Sequence, residues 1–235
     1  MPKTPKPEGP GAKPVAQSPF DPGFADLPTT LPIFPLPGVL LLPGGRLPLN
    51  VFEPRYLAMT RAALGGARLI GMVQPRDPEA PGLQPEVQKV GCAGRIVSFA
   101  ETDDGRYLIT LAGLCRFAIL GELPLEDGFR KVVPDWTPYA ADLEPMAMSV
   151  DRIRLIGALR AFFADQPVRI DWKAIEETAD DRLIVSLAML CPFEASEKQI
   201  LLEAHSPSER ARVMIALLES AALAKGDSDA PQVRH

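Results

Sequence analysis

The segment KVGCAGRIVSFAETDDGRYLITLAGLCRFAILGEL (Lys89–Leu123) carries its side chains with a period of two. Val97 and Phe99 alternate with Ile96 and Ser98, and Tyr107, Ile109 and Leu111 alternate with Leu108 and Thr110. That is the pattern of half-buried strands. Asp104-Gly105 between the two runs predicts a two-residue type I′ hairpin turn, which needs positive φ at both positions. Gly113 interrupts the second strand, as at a bulge or barrel corner, and Phe117 and Ile119 resume the alternation.

Toward the N-terminus, LPIFPLPGVLLLPGGRLPLNVFEPRYLAM (Leu31–Met59) breaks into short apolar runs separated by Gly and Pro. Ile33–Leu36, Val39–Leu42 and Leu47–Phe52 each predict a short strand, and the prolines push them toward sheet edges and strand ends. Glu53-Pro54 then opens a helix that Gly65-Gly66 stops, and Leu69–Val73 predicts another strand. Toward the C-terminus, Arg130–Trp136 predicts a last strand. Many short strands with Gly/Pro corners and one embedded helix imply a small β-barrel.

After Pro138 the apolar period becomes 3.6. Leu155, Ile156, Leu159, Phe162 and Phe163 mark one amphipathic helix. Asp171 caps a short one, and Asp180 or Asp181 caps the next, which carries Leu183, Ile184, Leu187 and Leu190. Ser196-x-x-Gln199 and Ser206-x-x-Glu209 predict capping boxes for the last two helices, and Lys225-Gly226 predicts the final stop. The fold class is therefore α+β. A disordered proline-rich tail is expected over 1–28, a barrel over 29–138, a helical bundle over 139–225 and a second disordered tail over 226–235.

Composition bounds the function. The chain has 235 residues, a net charge of −5 and 46% hydrophobic residues, so a sizeable core is available. The mild acidity argues against a dedicated nucleic-acid binder. No run of eighteen apolar residues predicts a membrane span, and MPKTPKPEGPGAKP has no apolar centre for a secretory signal, so a cytoplasmic protein is expected. Cys92, Cys115 and Cys191 form no C-x-x-C pair, and His205 and His235 are the only histidines. The thiols read as small core hydrophobes, and neither a metal site nor a cofactor motif is indicated.

Few residues invite a chemical role. Glu53 and Arg55 flank Pro54. Arg55 as a fork for a peptide carbonyl or carboxylate is weighed against a structural ion pair with Glu53, and the ion pair is favoured. Arg116, in Gly113-x-x-Arg116-Phe117, reads as a strand arginine at the barrel rim rather than a ligand contact. Glu101, Asp103 and Asp104 sit at a hairpin tip, where water leaves carboxylates ordinary. His205 has no acid or nucleophile placed to make a catalytic unit. The helices around Cys191–Ala195 have the outline of a helix-turn-helix, but Glu197, Lys198, Gln199 and Glu203 are the wrong residues to read bases, and 140–225 carries 10 basic against 14 acidic side chains. DNA is therefore not a partner.

Leu31–Met59, together with GCAGRIVSF (Gly91–Phe99), DGRYLITLAGLCRFAIL (Asp104–Leu120) and KQILLEAHSPSERARVMIALL (Lys198–Leu218), resembles the Lon protease N-terminal domain, the LON substrate-binding domain. The likeness is greatest to its short stand-alone bacterial forms and covers about residues 29–222. It implies a PUA-like barrel followed by a helical bundle. No G-x-x-x-x-G-K-[ST] phosphate loop and no G-x-S-x-G elbow is present, so neither the ATPase nor the peptidase chemistry of full Lon proteases is expected. The resemblance implies a non-enzymatic module that binds unfolded or partner polypeptide, with a role in protein quality control or beside a protease. The expected surface is apolar and lies at the barrel–bundle junction, with Leu31–Leu49 as part of it. The competing reading has those leucines filling the interior. Phe52, Glu53, Arg55, Tyr56, Arg116 and Phe117 are the candidate binding or structural residues. RNA is the alternative partner because PUA-like barrels include RNA binders, but residues 40–120 hold nine basic against seven acidic side chains, an ordinary solvated surface.

Overall fold

The computed structural model describes residues 19–228, apart from 80, 81, 83, 146, 165 and 167–169. Of the tail expected over 1–28, residues 19–28 are packed on the barrel, with a 3-10 turn at Phe24–Asp26, Leu27 in the core and Asp21 paired with Arg95; residues 1–18 and 229–235 lie outside the described residues. Six strands come first: β1 (Leu31–Pro35), β2 (Arg46–Val51), β3 (Leu69–Val73), β4 (Val90–Glu101), β5 (Tyr107–Glu126) and β6 (Phe129–Asp135), with α1 (Pro54–Leu64) between β2 and β3. Five helices follow: α2 (Arg152–Phe163), α3 (Trp172–Glu177), α4 (Asp180–Leu190), α5 (Ala195–Glu203) and α6 (Pro207–Ser228).

The sheet runs β2-β5-β4-β3-β1-β6, and β6 pairs back onto β5. β5 is long enough to serve two neighbours on one edge. Its first half pairs with β2 and its second half with β6, which closes β1, β3, β4, β5 and β6 into a ring. Only β1 and β3 are parallel, joined by the β2–α1 crossover. Leu31, Ile33, Leu69, Val73, Ala93, Cys115, Phe117 and Val132 come from all five ring strands and form one apolar cluster, the barrel interior. The opposite faces of the same strands, with Phe34, Ile70, Met72, Cys92 and Leu111, join α1, α2, α4, α5 and α6 in a larger core. Barrel and bundle thus share the larger of two hydrophobic cores.

Local chemistry explains most elements. Pro54 stands at the start of α1, and Asp151 and Asp171 cap α2 and α3 by accepting from the N–H groups of Arg154 and Ala174. Five expectations need correction. Val39–Leu42 is not a strand. It is a buried loop whose apolar side chains enter the core between barrel and bundle. The Asp104-Gly105 hairpin is not a type I′ turn, because only Gly105 has positive φ (81°). Thr102 there receives bonds from both Gly105 and Arg106, which makes a three-residue loop with glycine in the left-handed position. The type I′ turn falls instead at Asp127-Gly128, with φ of 46° and 81°, joining β5 to β6. Asp180 lies inside the first turn of α4 and pairs with Arg152, and α5 is boxed by Glu194 and Glu197 rather than Ser196 and Gln199. The last helix continues past Gly226 to Ser228.

Gly113 marks where the buried loop crosses the barrel. Its N–H donates to Gly45 O and its carbonyl accepts from Gly44 N–H, and a Cβ there would lie 2.0 Å from Leu42 O. Gly113→Ala is expected to cost about 3 kcal/mol or more, because the obstacle is backbone. Gly121→Ala, with nothing within 4 Å of the added carbon, should stay within about 0.5 kcal/mol of the parent. Urea unfolding monitored by circular dichroism checks both, and equal losses at the two sites would contradict the crossing.

Candidate functional site

Of the six candidate residues, three are held in the interior. Arg116 is 3% exposed, which corrects its placement at a barrel rim. It points from β5 toward the bundle. Its Nε and Nη2 each donate to one carboxylate oxygen of Asp142 at 2.8 Å, and its backbone N–H adds a third bond at 3.0 Å. Its Nη1 donates to Leu202 O at 3.0 Å and Ala204 O at 2.6 Å, at the end of α5. Arg210, on α6, donates from Nε to Leu201 O at 2.8 Å. Two guanidiniums thus meet one carboxylate and the negative end of a helix, whose last carbonyls lack intrahelical partners. Burial works against the charge of Arg116, but Asp142 outweighs it and holds the guanidinium pKa above its ordinary value. Arg210 lacks a carboxylate of its own, and burial together with Arg116 lowers it to about 10.

Phe117, the next residue, points the other way and fills the barrel. A Cβ on Gly71 or Gly91 would come within 2.7 or 2.8 Å of its ring. Tyr56 is buried against Phe34, with ring centroids 4.0 Å apart. Arg55 covers the Tyr56 ring at 4.4 Å and pairs with Glu53 at 2.9 Å, so the ion pair is present. Phe52 differs from all of these in being 61% exposed.

By alternation from Asn50 the ring falls on the exposed side of β2, β5 and β4, just past the end of β2. Residues directly opposite one another in a sheet share a face. Pro48, Thr110 and Ser98 make one row, Asn50, Leu108 and Ala100 the next, and Arg46, Ala112 and Arg95 the row at the foot. Leu108 is 45% exposed, and Pro48, Asn50, Ser98 and Ala100 are exposed with it. Arg95 also stands opposite Leu69, so this face is continuous with the inside of the barrel. Here the sheet leaves the ring as a wing. β2 is its terminal strand, where Pro48 removes one edge donor. On the opposite side of the wing Tyr107 stacks on Phe99 at 5.0 Å and accepts from Arg61 of α1.

The junction expected to expose an apolar surface is filled instead. Leu31, Ile33, Phe34, Leu40, Leu41 and Leu42 are all buried, so most of the Leu31–Leu49 segment belongs to the core; only its end, in β2, reaches the wing. Asp104 at the hairpin tip bonds Thr102 and pairs with Arg106 at 2.8 Å. The described residues hold no group of three His, Cys, Asp or Glu placed to share a metal ion. Sequence reasoning missed Leu108, Pro48 and Asn50 as a face, although the alternation of Tyr107–Leu111 already put Leu108 and Thr110 opposite the core residues. It also missed Asp142 and Arg210, for which no spacing gave a signal.

The family described as the ATP-dependent protease La (LON) substrate-binding domain has a model that matches residues 30–220. The Lon protease of Anaeromyxobacter dehalogenans (strain 2CP-C) is 28% identical over 199 residues, covering 82% of this chain and 23% of that protein. Lon protease 2 of Myxococcus xanthus is 28% identical over 216 residues, covering 88% and 26%. The chain thus spans about a quarter of the length of these relatives. In fold it is similar to the solved Lon N-terminal domain protein from Xanthomonas campestris, with a TM-score of 0.57 and 24% identity over 80% of this chain and 98% of that one. The N-terminal domain of Mycobacterium avium complex Lon protease gives a TM-score of 0.56 and 17% identity over 80% and 97%.

Two predictions follow from the buried groups. Arg116→Met strands Asp142 and is expected to cost about 3–5 kcal/mol in urea unfolding, whereas Arg55→Ala, breaking a partly exposed pair, should cost under about 1 kcal/mol. Equal costs would contradict the joint. Burial raises the thiols of Cys115 to about 12 and Cys191 to about 11, and raises Cys92 as well. The unfolded thiols ionise near 9.0. Their contribution to stability is therefore complete below about pH 9 and falls as pH rises toward 11 and 12. A thiol reagent at pH 8 should react with native protein only at the rate of unfolding.

Proposed function

The chain belongs to the ATP-dependent protease La (LON) substrate-binding domain family, and from that premise we propose that it binds polypeptide without acting on it chemically. The binding surface in this reading is the wing face of β2, β5 and β4, with Phe52 and Leu108 as its apolar anchors. What carries the reading is the exposure of those two side chains beside Pro48 and Ala100, on a face continuous with the barrel interior. An extended chain laid there buries its apolar side chains against Phe52 and Leu108. Asn50, Ser98 and Thr110 meanwhile offer hydrogen bonds to its backbone, which suits binding that is tolerant of sequence. The role fits a quality-control or protease-associated factor in the cytoplasm.

Calorimetric titration of the full chain with a reduced, carboxymethylated unfolded protein tests this. Binding should come with a negative heat-capacity change. Each anchor is worth about 1.5–3 kcal/mol when fully buried, so Phe52→Ser with Leu108→Ser should weaken binding at least about tenfold without changing the unfolding midpoint by more than a few tenths of a molar in urea. An unaltered affinity in the double variant would remove the wing from the reading, and no binding at high micromolar concentration would remove the function.

A further inference from the structure

The described chain begins at the foot of the wing. Asp21 pairs with Arg95 at 2.6 Å, both largely buried, and Arg95 belongs to the row Arg46–Ala112–Arg95 below the exposed rows. Leu27 then enters the barrel interior, and the Trp136 indole N–H donates to Pro28 O at 3.0 Å. The N-terminal strap is therefore fixed where the wing leaves the barrel, with Phe20 largely exposed next to Pro19, where residues 1–18 join it. Those residues, MPKTPKPEGPGAKPVAQS, contain Pro2, Pro5, Pro7, Pro10 and Pro14, and Lys3, Lys6 and Lys13 against Glu8 alone.

Length and charge both suit the face above that anchor. Eighteen residues in a polyproline conformation reach about 55 Å, while Arg95 to the hairpin tip is six strand residues, about 20 Å. The tip carries Glu101, Asp103 and Asp104 against Arg106, opposite in sign to the tail. A proline-rich segment loses little conformational freedom on docking and seats well on apolar and aromatic surface, here Phe52, Leu108 and Pro48. A polyproline backbone forms no internal hydrogen bonds, so the carbonyls of a proline-rich segment docked there are left to the Asn50 carboxamide and the Ser98 and Thr110 hydroxyls.

We propose that residues 1–18 dock in cis on the wing face of β2, β5 and β4, directed there by the Asp21–Arg95 anchor and by their lysines against the acidic hairpin tip, and so compete with incoming polypeptide. The competition rests on the reading of that face as the polypeptide site; the docking itself does not.

Three proteins are compared: the full chain, the full chain with Lys3, Lys6 and Lys13 all changed to Glu, and a chain starting at Pro19. Truncation breaks no contact among the described residues. Amide NMR shifts of Asn50, Ser98, Ala100, Leu108 and Thr110 report docking with no ligand present. They should move in the same direction in both altered proteins and in the full chain when salt rises from 0.05 to 0.5 M. Affinity for the carboxymethylated unfolded protein should rise about tenfold on truncation. Shifts at these positions that are unchanged by truncation, charge reversal and salt would overturn the docking, whether or not the face binds polypeptide. Moved shifts with no affinity for the unfolded protein in any of the three would support the docking and overturn the polypeptide reading. Moved shifts with equal affinities in all three would support the docking and overturn the competition.

Discussion

A guanidinium removed from water must have its donors answered, and Arg116 finds its acceptors on two different parts of the chain. Asp142, just after the last strand, takes the fork, and the carbonyls that end α5 take the remaining nitrogen. The guanidinium is answered in full only when barrel and bundle are together, because it projects from β5 and two of its acceptors, Leu202 O and Ala204 O, end α5. The neighbouring positions make the same strand serve three purposes. Gly113 lets the Leu40–Gly45 loop touch the strand backbone, Arg116 ties the bundle from the outer face, and Phe117 fills the ring from the inner one. The short motif Gly-x-x-Arg-Phe thus describes how the two parts are joined.

That joint bears on the binding surface proposed above. A surface between barrel and bundle would have to be made from Leu40, Leu41, Leu42, Ile184 and Leu201, and these are already packed together. Opening it would expose them and leave Arg116, Arg210 and Asp142 without partners, a cost far above what a loosely specific polypeptide complex recovers. The wing has no such cost. Its apolar side chains are exposed, Tyr107 on its other side accepts from Arg61 of α1, and its edge strand is blunted by Pro48. Among the described residues, no helix is long and apolar enough to cross a membrane, and the matched family is defined by substrate binding.

Much of this was legible in the chain because local signals and packing agreed. The alternation through Val97–Phe99 and Tyr107–Leu111 gave the two long strands, Glu53-Pro54 gave the start of α1, and Asp171 gave a cap. Where they disagreed, packing won. Val39–Leu42 is as apolar as a buried strand, but its place against Gly94 and Gly113 demands a loop without a ladder. Asp104-Gly105 looked like the tight turn, yet the Thr102 side chain favours a longer loop, and the tight turn fell at Asp127-Gly128, where β5 must reverse directly into β6. Asp142 could not be tied to Arg116 from sequence, because the two stand 26 positions apart with the whole of β6 between them. The Leu108 face was encoded by the alternation itself, but a strand pattern does not reveal which of its two faces other elements will cover.

Hydrogen exchange of the full chain, read by mass spectrometry with and without a saturating unfolded polypeptide, tests the central claim most directly. A closed joint and a binding wing predict slower exchange over residues 46–52 and 98–112, with residues 39–45 and α5 unchanged. Faster exchange at 39–45 and α5 on binding, or protection there and none on the wing, would show that the joint opens to take the polypeptide and would contradict the account.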